Sequence, residues 1–203
     1  MFAYKKERLE NAICFFAKEH KRRKKKDPTQ TYIYKYLALF DFEMLVKTGR
    51  PALDLEYIAM AKGPVPIEIY EKRNSYETEL FKFVPQEEKN TVIVVKTKGK
   101  RPNLEYFSES EITEMQRIVE IYINTSVDTN ILSGASHEVI APWEKAWKRR
   151  NNHKIEMIDA FPGISNKKDE DLSPQEENFL TYYGLKKGME IESRRRSPVE
   201  QLS

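Results

Sequence analysis

Few of the 203 residues are of types and spacings that do chemistry. The histidines are three, His20, His137 and His153, and the cysteine is single, Cys14. A zinc site needs three or four such ligands brought together. These histidines lie far apart in sequence, and one cysteine cannot build a Cys-rich set. His137-Glu138 lacks the second histidine four residues on that the helical zinc-protease motif requires. There is no Gly-x-Ser-x-Gly elbow and no Gly-rich phosphate loop. The run Gly63-Pro64-Val65-Pro66 cannot replace such a loop, because proline has no N–H to offer a phosphate. Asp41, between Phe40 and Phe42, reads as a buried carboxylate with a shifted pKa, and a hydrogen-bonded structural role is the commoner use of that setting. Cys14, amid Ile13, Phe15 and Phe16, reads as a core thiol, and an internal disulfide is excluded. The sequence predicts no catalytic residue, no metal and no cofactor.

Charge is abundant but balanced: 35 Lys and Arg stand against 32 Asp and Glu, a net of +3. Basic clusters occur at 21–26 (KRRKKK), from Lys96 to Arg101, at 148–150 and at 194–196. Gathered on one face they would track a nucleic-acid backbone; dispersed, they are solvated surface. Trp143 and Trp147, one helical turn apart, are either core or, if exposed, strong interface anchors. No signal-peptide layout and no apolar run of about 20 residues is present, which predicts a cytoplasmic chain.

The elements that must position these residues follow from periodicity. Leu9, Ile13, Phe16 and Ala17 predict a helix over 2–20, leading into the basic block. Asp27, Pro28 and Gln30 read as a capping box opening a helix over 28–47, with Asp27 as N-cap. That helix is apolar on more than one face, the mark of a central element, and Gly49 and Pro51 end it. Residues 55–61 read as a strand. Gly-Pro-Val-Pro then reads as a stiff extended corner, with Pro66 in the first turn of a short helix over 67–73. Residues 80–84 and 91–97 predict a β-hairpin, and 103–106 a third short strand. Ser108 and Glu111 form a capping box for a helix to about 123, a further short helix is predicted at 127–133 before Gly134, and a last core helix near Pro142. After Asn151 the chain turns polar. The order predicts an α+β fold, a mainly helical domain with a small antiparallel sheet of about three strands between helices. The domain spans 1–150, and 151–203 is a C-terminal extension, at most partly ordered.

The helix YIYKYLALFDFEML, then TGRP, YIAMAKGPVPIEIYE, FSESEITEMQRIVEIY and SHEVIAPWEKAW resembles, in that order over roughly 5–150, the Panacea (SocA-like) antitoxin domain. The resemblance implies an antitoxin that neutralises a protein toxin, encoded beside it, by binding it directly. Carried onto this chain, its motif residues are Gly49, Arg50, Pro51, Gly63, Pro64, Val65, Pro66, His137, Glu138, Pro142 and Trp143, scaffold marks first and contacts second. The chain departs from the family where ALDLE follows the Gly-Arg-Pro turn, leaving Asp54 as the candidate for an acidic position there. The partner expected is the cognate toxin protein. A nucleic-acid-associated regulator, or an adaptor delivering its partner to a protease, is the alternative.

Overall fold

A computed structural model describes residues 4–86, 89–124, 137–150 and 152–196. The helix predicted at 127–133 and Gly134 lie outside the described residues.

Helix α1 (Lys5–Lys24) takes up four of the six basic residues of 21–26 as its own last turn, where positive charge complements the helix dipole. The block is therefore mostly helix. Helix α2 (Gln30–Thr48) starts two residues later than expected, because Asp27 is engaged by Lys21 at 2.9 Å and Thr29 takes the N-cap position without a side-chain bond. Every residue from Ile33 to Leu45 is buried, so α2 is the central helix that its apolar faces predict. Gly49 closes it in the left-handed conformation, φ 78°, its N–H donating to Leu45 O at 2.7 Å.

Strand β1 (Tyr57–Met60) turns through Ala61 and Lys62 into β2 (Gly63–Pro66), paired antiparallel with Ala59 opposite Pro64 and Tyr57 opposite Pro66. The Gly-Pro-Val-Pro corner is thus the second strand of a hairpin, and Pro66 precedes helix α3 (Ile67–Lys72) as its N-cap residue. The backbone of β1 explains why prolines fit. Ala59 bonds away from β2, to His153 O and Asn152 N, and Tyr57 O accepts from Ile155 N at 2.8 Å. Their partners Pro64 and Pro66 therefore hold non-hydrogen-bonded positions, whose N–H groups would point away from β1. Proline there costs the ladder no hydrogen bond.

Strands β3 (Phe81–Gln86) and β4 (Lys89–Thr97) form the predicted hairpin, with a bulge between Pro85 and Gln86. The expected third strand is instead a 3-10 turn, Leu104–Tyr106, because Asn103 Oδ1 accepts from Glu105 N and curls the chain. The fold class is the expected mainly helical α+β, but the four strands among the described residues make two separate ladders. Ser108 and Glu111 cap α4 (Glu109–Asn124) reciprocally, as a capping box should. Helix α5 (His137–Arg149) begins a turn earlier than predicted and carries Pro142 inside it.

Residues 152–196 differ most from their polar appearance. Ile155, Phe161, Ile164 and Phe179 join the same core as α1 and α2, and a long helix, α6 (Pro174–Arg196), lies against α2. Its apolar residues are spread round the helix, with Leu180, Leu185, Met189 and Ile191 exposed, so no single face stands out; Phe179 packs on Phe161 at 4.7 Å between ring centroids. This segment is part of the folded body, not an appendage at most partly ordered. None of the described helices is long and apolar enough to cross a membrane.

Candidate functional site

The residues singled out in the sequence fall at two ends of α2. At its C-terminal end sit Gly49, Arg50, Pro51 and Asp54. Asp41, about two turns back from Thr48 and only 1% exposed, organises the loop that holds them. Its carboxylate accepts the N–H groups of Leu53 (2.5 Å), Asp54 (3.2 Å) and Leu55 (3.2 Å) and the Tyr57 hydroxyl (2.8 Å). Burial pushes its pKa up to about 6 even though these donors pull the other way. Asp54, at φ 55°, turns its own carboxylate to the Tyr182 hydroxyl (2.5 Å) and the Lys186 ammonium. Gly49 receives α6 directly, while Arg50 is exposed. The Gly-Arg-Pro turn and Asp54 are therefore the seat of the C-terminal helix.

At the other end, about 20 Å along the helix axis, lies a groove of about 400 Å³. Gln30, Thr31, Tyr34 and Lys35 of α2 form one wall. Met60, Ala61, Lys62, Pro64 and Val65 of the first hairpin form another, and Tyr70, Trp147 and Asn152 close it. Gly63 to Pro66 are all buried, so the motif builds the wall from its backbone and small rings. Trp143 donates from Nε1 to Met60 O at 3.0 Å, and its ring stacks on Trp147 at 6.1 Å. Both tryptophans are half-buried, Trp143 holding the hairpin and Trp147 facing the groove. Pro142 is buried; of His137 and Glu138 the helical backbone is described.

Lys35 lines the groove from a buried position on α2. It is 6% exposed, and burial, followed by the Lys62 charge, holds its pKa below the ordinary lysine value. At the edge the Arg73 guanidinium lies 3.8 Å over the Tyr70 ring. Sequence reasoning passed over Lys35, Lys62, Tyr34 and Tyr70. The signal available was Lys35 itself, a charge inside the apolar run of α2.

Elsewhere the candidate chemical groups are absorbed into packing. His20 Nδ1 and the Tyr36 hydroxyl are 2.8 Å apart in the core, and burial takes the histidine pKa down to about 4. Burial also pushes the Cys14 thiol up to about 11, which leaves little thiolate at neutral pH. Among the described residues no group of three or more His, Cys, Asp or Glu is placed to hold a metal. The basic clusters meet acids: Lys21 pairs with Asp27, Arg22 and Arg23 with Glu19, Lys98 with Glu77 and Lys100 with Glu79.

Fold and site together define a mainly helical α+β domain with an aromatic-walled groove between its central helix and a proline-bearing hairpin. The chain belongs to the family described as Antitoxin SocA-like, Panacea domain, whose model matches residues 33–148. The match takes in the groove walls from Tyr34 to Trp147, leaves Gln30, Thr31 and Asn152 outside it, and stops short of α6. No curated protein and no solved structure matches the chain.

Proposed function

We propose that this protein is a cytoplasmic antitoxin that neutralises a cognate protein toxin by binding it directly, without chemistry of its own. Family membership carries this reading. Support comes from a binding surface built on rigid elements: the groove is framed by α2, a short hairpin and a Trp-stacked helix, and a preformed surface loses less entropy on association. The nucleic-acid alternative is weakened by the ion pairs that occupy Lys21, Arg22, Arg23, Lys98 and Lys100.

The test is a growth assay with the reading frame adjacent to this gene. Expressed alone, the neighbour stops growth; co-expressed with this chain, growth returns, and the two proteins co-purify. A neighbour that is harmless, or toxic and never rescued, removes the antitoxin reading. Rescue accompanied by disappearance of the neighbour's protein would favour delivery to a protease.

A further inference from the structure

The outer side of α6 differs from the rest of the surface. Five large apolar side chains are exposed among the described residues, and four of them, Leu180, Leu185, Met189 and Ile191, are on this helix. Scattered singly, such residues are ordinary surface; gathered on one helix they point to a contact face. The opposite side of the helix is already used. Phe179 is fully buried against Phe161, and Tyr182 and Lys186 bond to Asp54. A helix with apolar residues on both sides is ordinarily covered on both.

Spacing on the outer side is regular. Glu177, Leu180, Gly184, Gly188, Ile191 and Arg195 follow one another by three or four residues, so their positions form one row along α6. Glycine inside a helix is unfavourable, and a β-carbon at Gly184 or Gly188 would meet nothing within 4 Å. Packing among the described residues of one copy therefore gives no reason for either glycine. Two gaps a turn apart, in the middle of the row, give a second helix room for close approach.

The charges say which helix. The row starts on an acid and ends on a base: Glu177 is exposed near the N-terminal end, and Arg195 holds the last position at the C-terminal end. Position 186 is its centre, with Glu177 and Arg195 at equal distances either side, and Gly184 and Gly188 likewise. A second α6 laid antiparallel along the row sets each Glu177 against the other copy's Arg195. Leu180 then lies beside Ile191, and glycine meets glycine at the crossing, the reciprocal pattern of a two-fold interface. A parallel alignment would put acid on acid and base on base. Antiparallel helices also oppose their dipoles.

We propose that two copies of this protein pair through α6, antiparallel, across Leu180, Ile191 and the Gly184–Gly188 crossing. The row is about 27 Å long and a helix is about 10 Å wide, which is at the small end of specific interfaces. The dimer is therefore one that dissociates on dilution. No residue lining the groove at the other end of α2 belongs to α6, so pairing uses none of that groove. The proposal stands independently of the antitoxin reading.

The test is sedimentation equilibrium of the full chain over roughly a hundredfold range of concentration in the micromolar region. The expected result is a monomer–dimer equilibrium. Gly184→Gln and Gly188→Gln each put a side chain into the crossing. Both positions have open space in the single copy and gain a better helix former, so thermal melts should show the fold kept while the dimer is lost. Glu177→Arg and Arg195→Glu each set like charges at both ends, and each alone should weaken the dimer about tenfold or more. An equimolar mixture of these two variants should pair as well as the parent, because every end then meets its opposite. A chain that is monomeric at every concentration overturns the proposal and leaves the face to a different partner. A dimer indifferent to Gly184→Gln and Gly188→Gln lies on another face and overturns it too. So does a dimer unchanged by the two single charge reversals, since its helices do not then run antiparallel in this register.

Discussion

A β-carbon added to Gly49 would lie 2.3 Å from the carbonyl oxygen of Gln175, with the backbone nitrogen of Phe179 at 2.7 Å. The last turn of the central helix and the first turns of α6 meet backbone to backbone. Asn178 Nδ2 adds a bond to Thr48 O at 3.3 Å.

Gly49→Ala is accordingly expected to act in two ways, through its left-handed φ of 78° and through the collision with α6. A loss of about 2–4 kcal/mol follows, or roughly 5–15 °C in melting temperature for a chain of this size. Limited proteolysis should show cleavage within 174–196 before the rest of the chain. A variant that melts like the parent would mean that α6 does not close on Gly49.

Asp41 and His20 give opposite pH dependences over nearly the same range. Asp41 titrates at about 6 folded against 3.8 when unperturbed, so the folded state binds the extra proton between these values. Its contribution to stability is complete below about pH 4 and is lost as pH rises through 6. His20 titrates at about 4 folded against 6.5; the unfolded state binds the extra proton, and stability is lost as pH falls below 6.5. The parent should therefore change little between pH 4 and 6 on account of these two groups. Asp41→Asn exposes the histidine's loss on acidification, and His20→Gln exposes the aspartate's loss on alkalinisation. Each is on the order of 3 kcal/mol across the range. Denaturant melts of all three proteins from pH 4 to 7 check this, and parallel curves would contradict it.

Trp143→Phe removes the Nε1–H bond to Met60 O while keeping a ring to stack on Trp147. A cost of about 1 kcal/mol is expected, together with faster amide exchange in β1. Unchanged exchange at Tyr57–Met60 would show that the hairpin is held without that bond.

Lys186→Met breaks the contact with Asp54, which also accepts the Tyr182 hydroxyl. A partly exposed pair of this kind is worth about 1 kcal/mol or less. The more sensitive readout is again release of α6, and Tyr182→Phe should add to it. A double variant no more easily cleaved than the parent would assign the docking of α6 to Phe179 and the Gly49 seam.

Much of this architecture is legible in the residues. The double-faced apolar run of α2, the Gly49 stop, the Ser108–Glu111 capping box and the second hairpin all follow local rules that tertiary structure obeys. The failures share a cause. Gly-Pro-Val-Pro looks like a corner because proline opposes regular structure locally, yet opposite Tyr57 and Ala59 a missing N–H costs no ladder bond. Residues 152–196 look polar because Ile155, Phe161, Ile164 and Phe179 are spaced by no single period; the core reached through three 3-10 turns and one helix carries no repeating signature. The Gly-Arg-Pro turn was found as a motif, but its use, to receive α6, depends on a residue more than a hundred positions away. The groove stayed hidden because its walls, on α2, the first hairpin and α5, are far apart in sequence and come together only in the folded chain.

The seam between Gly49 and α6 also bears on how the chain is made. Thr48 and Asn178 are 130 residues apart, and Asp54 and Lys186 are 132. Contacts of such separation are slow to form, and during synthesis they cannot form at all until the last of these residues leaves the ribosome. A nascent chain already carrying every motif of the family thus still has an open flank over its central helix. Its folding cannot finish before α6 has been made.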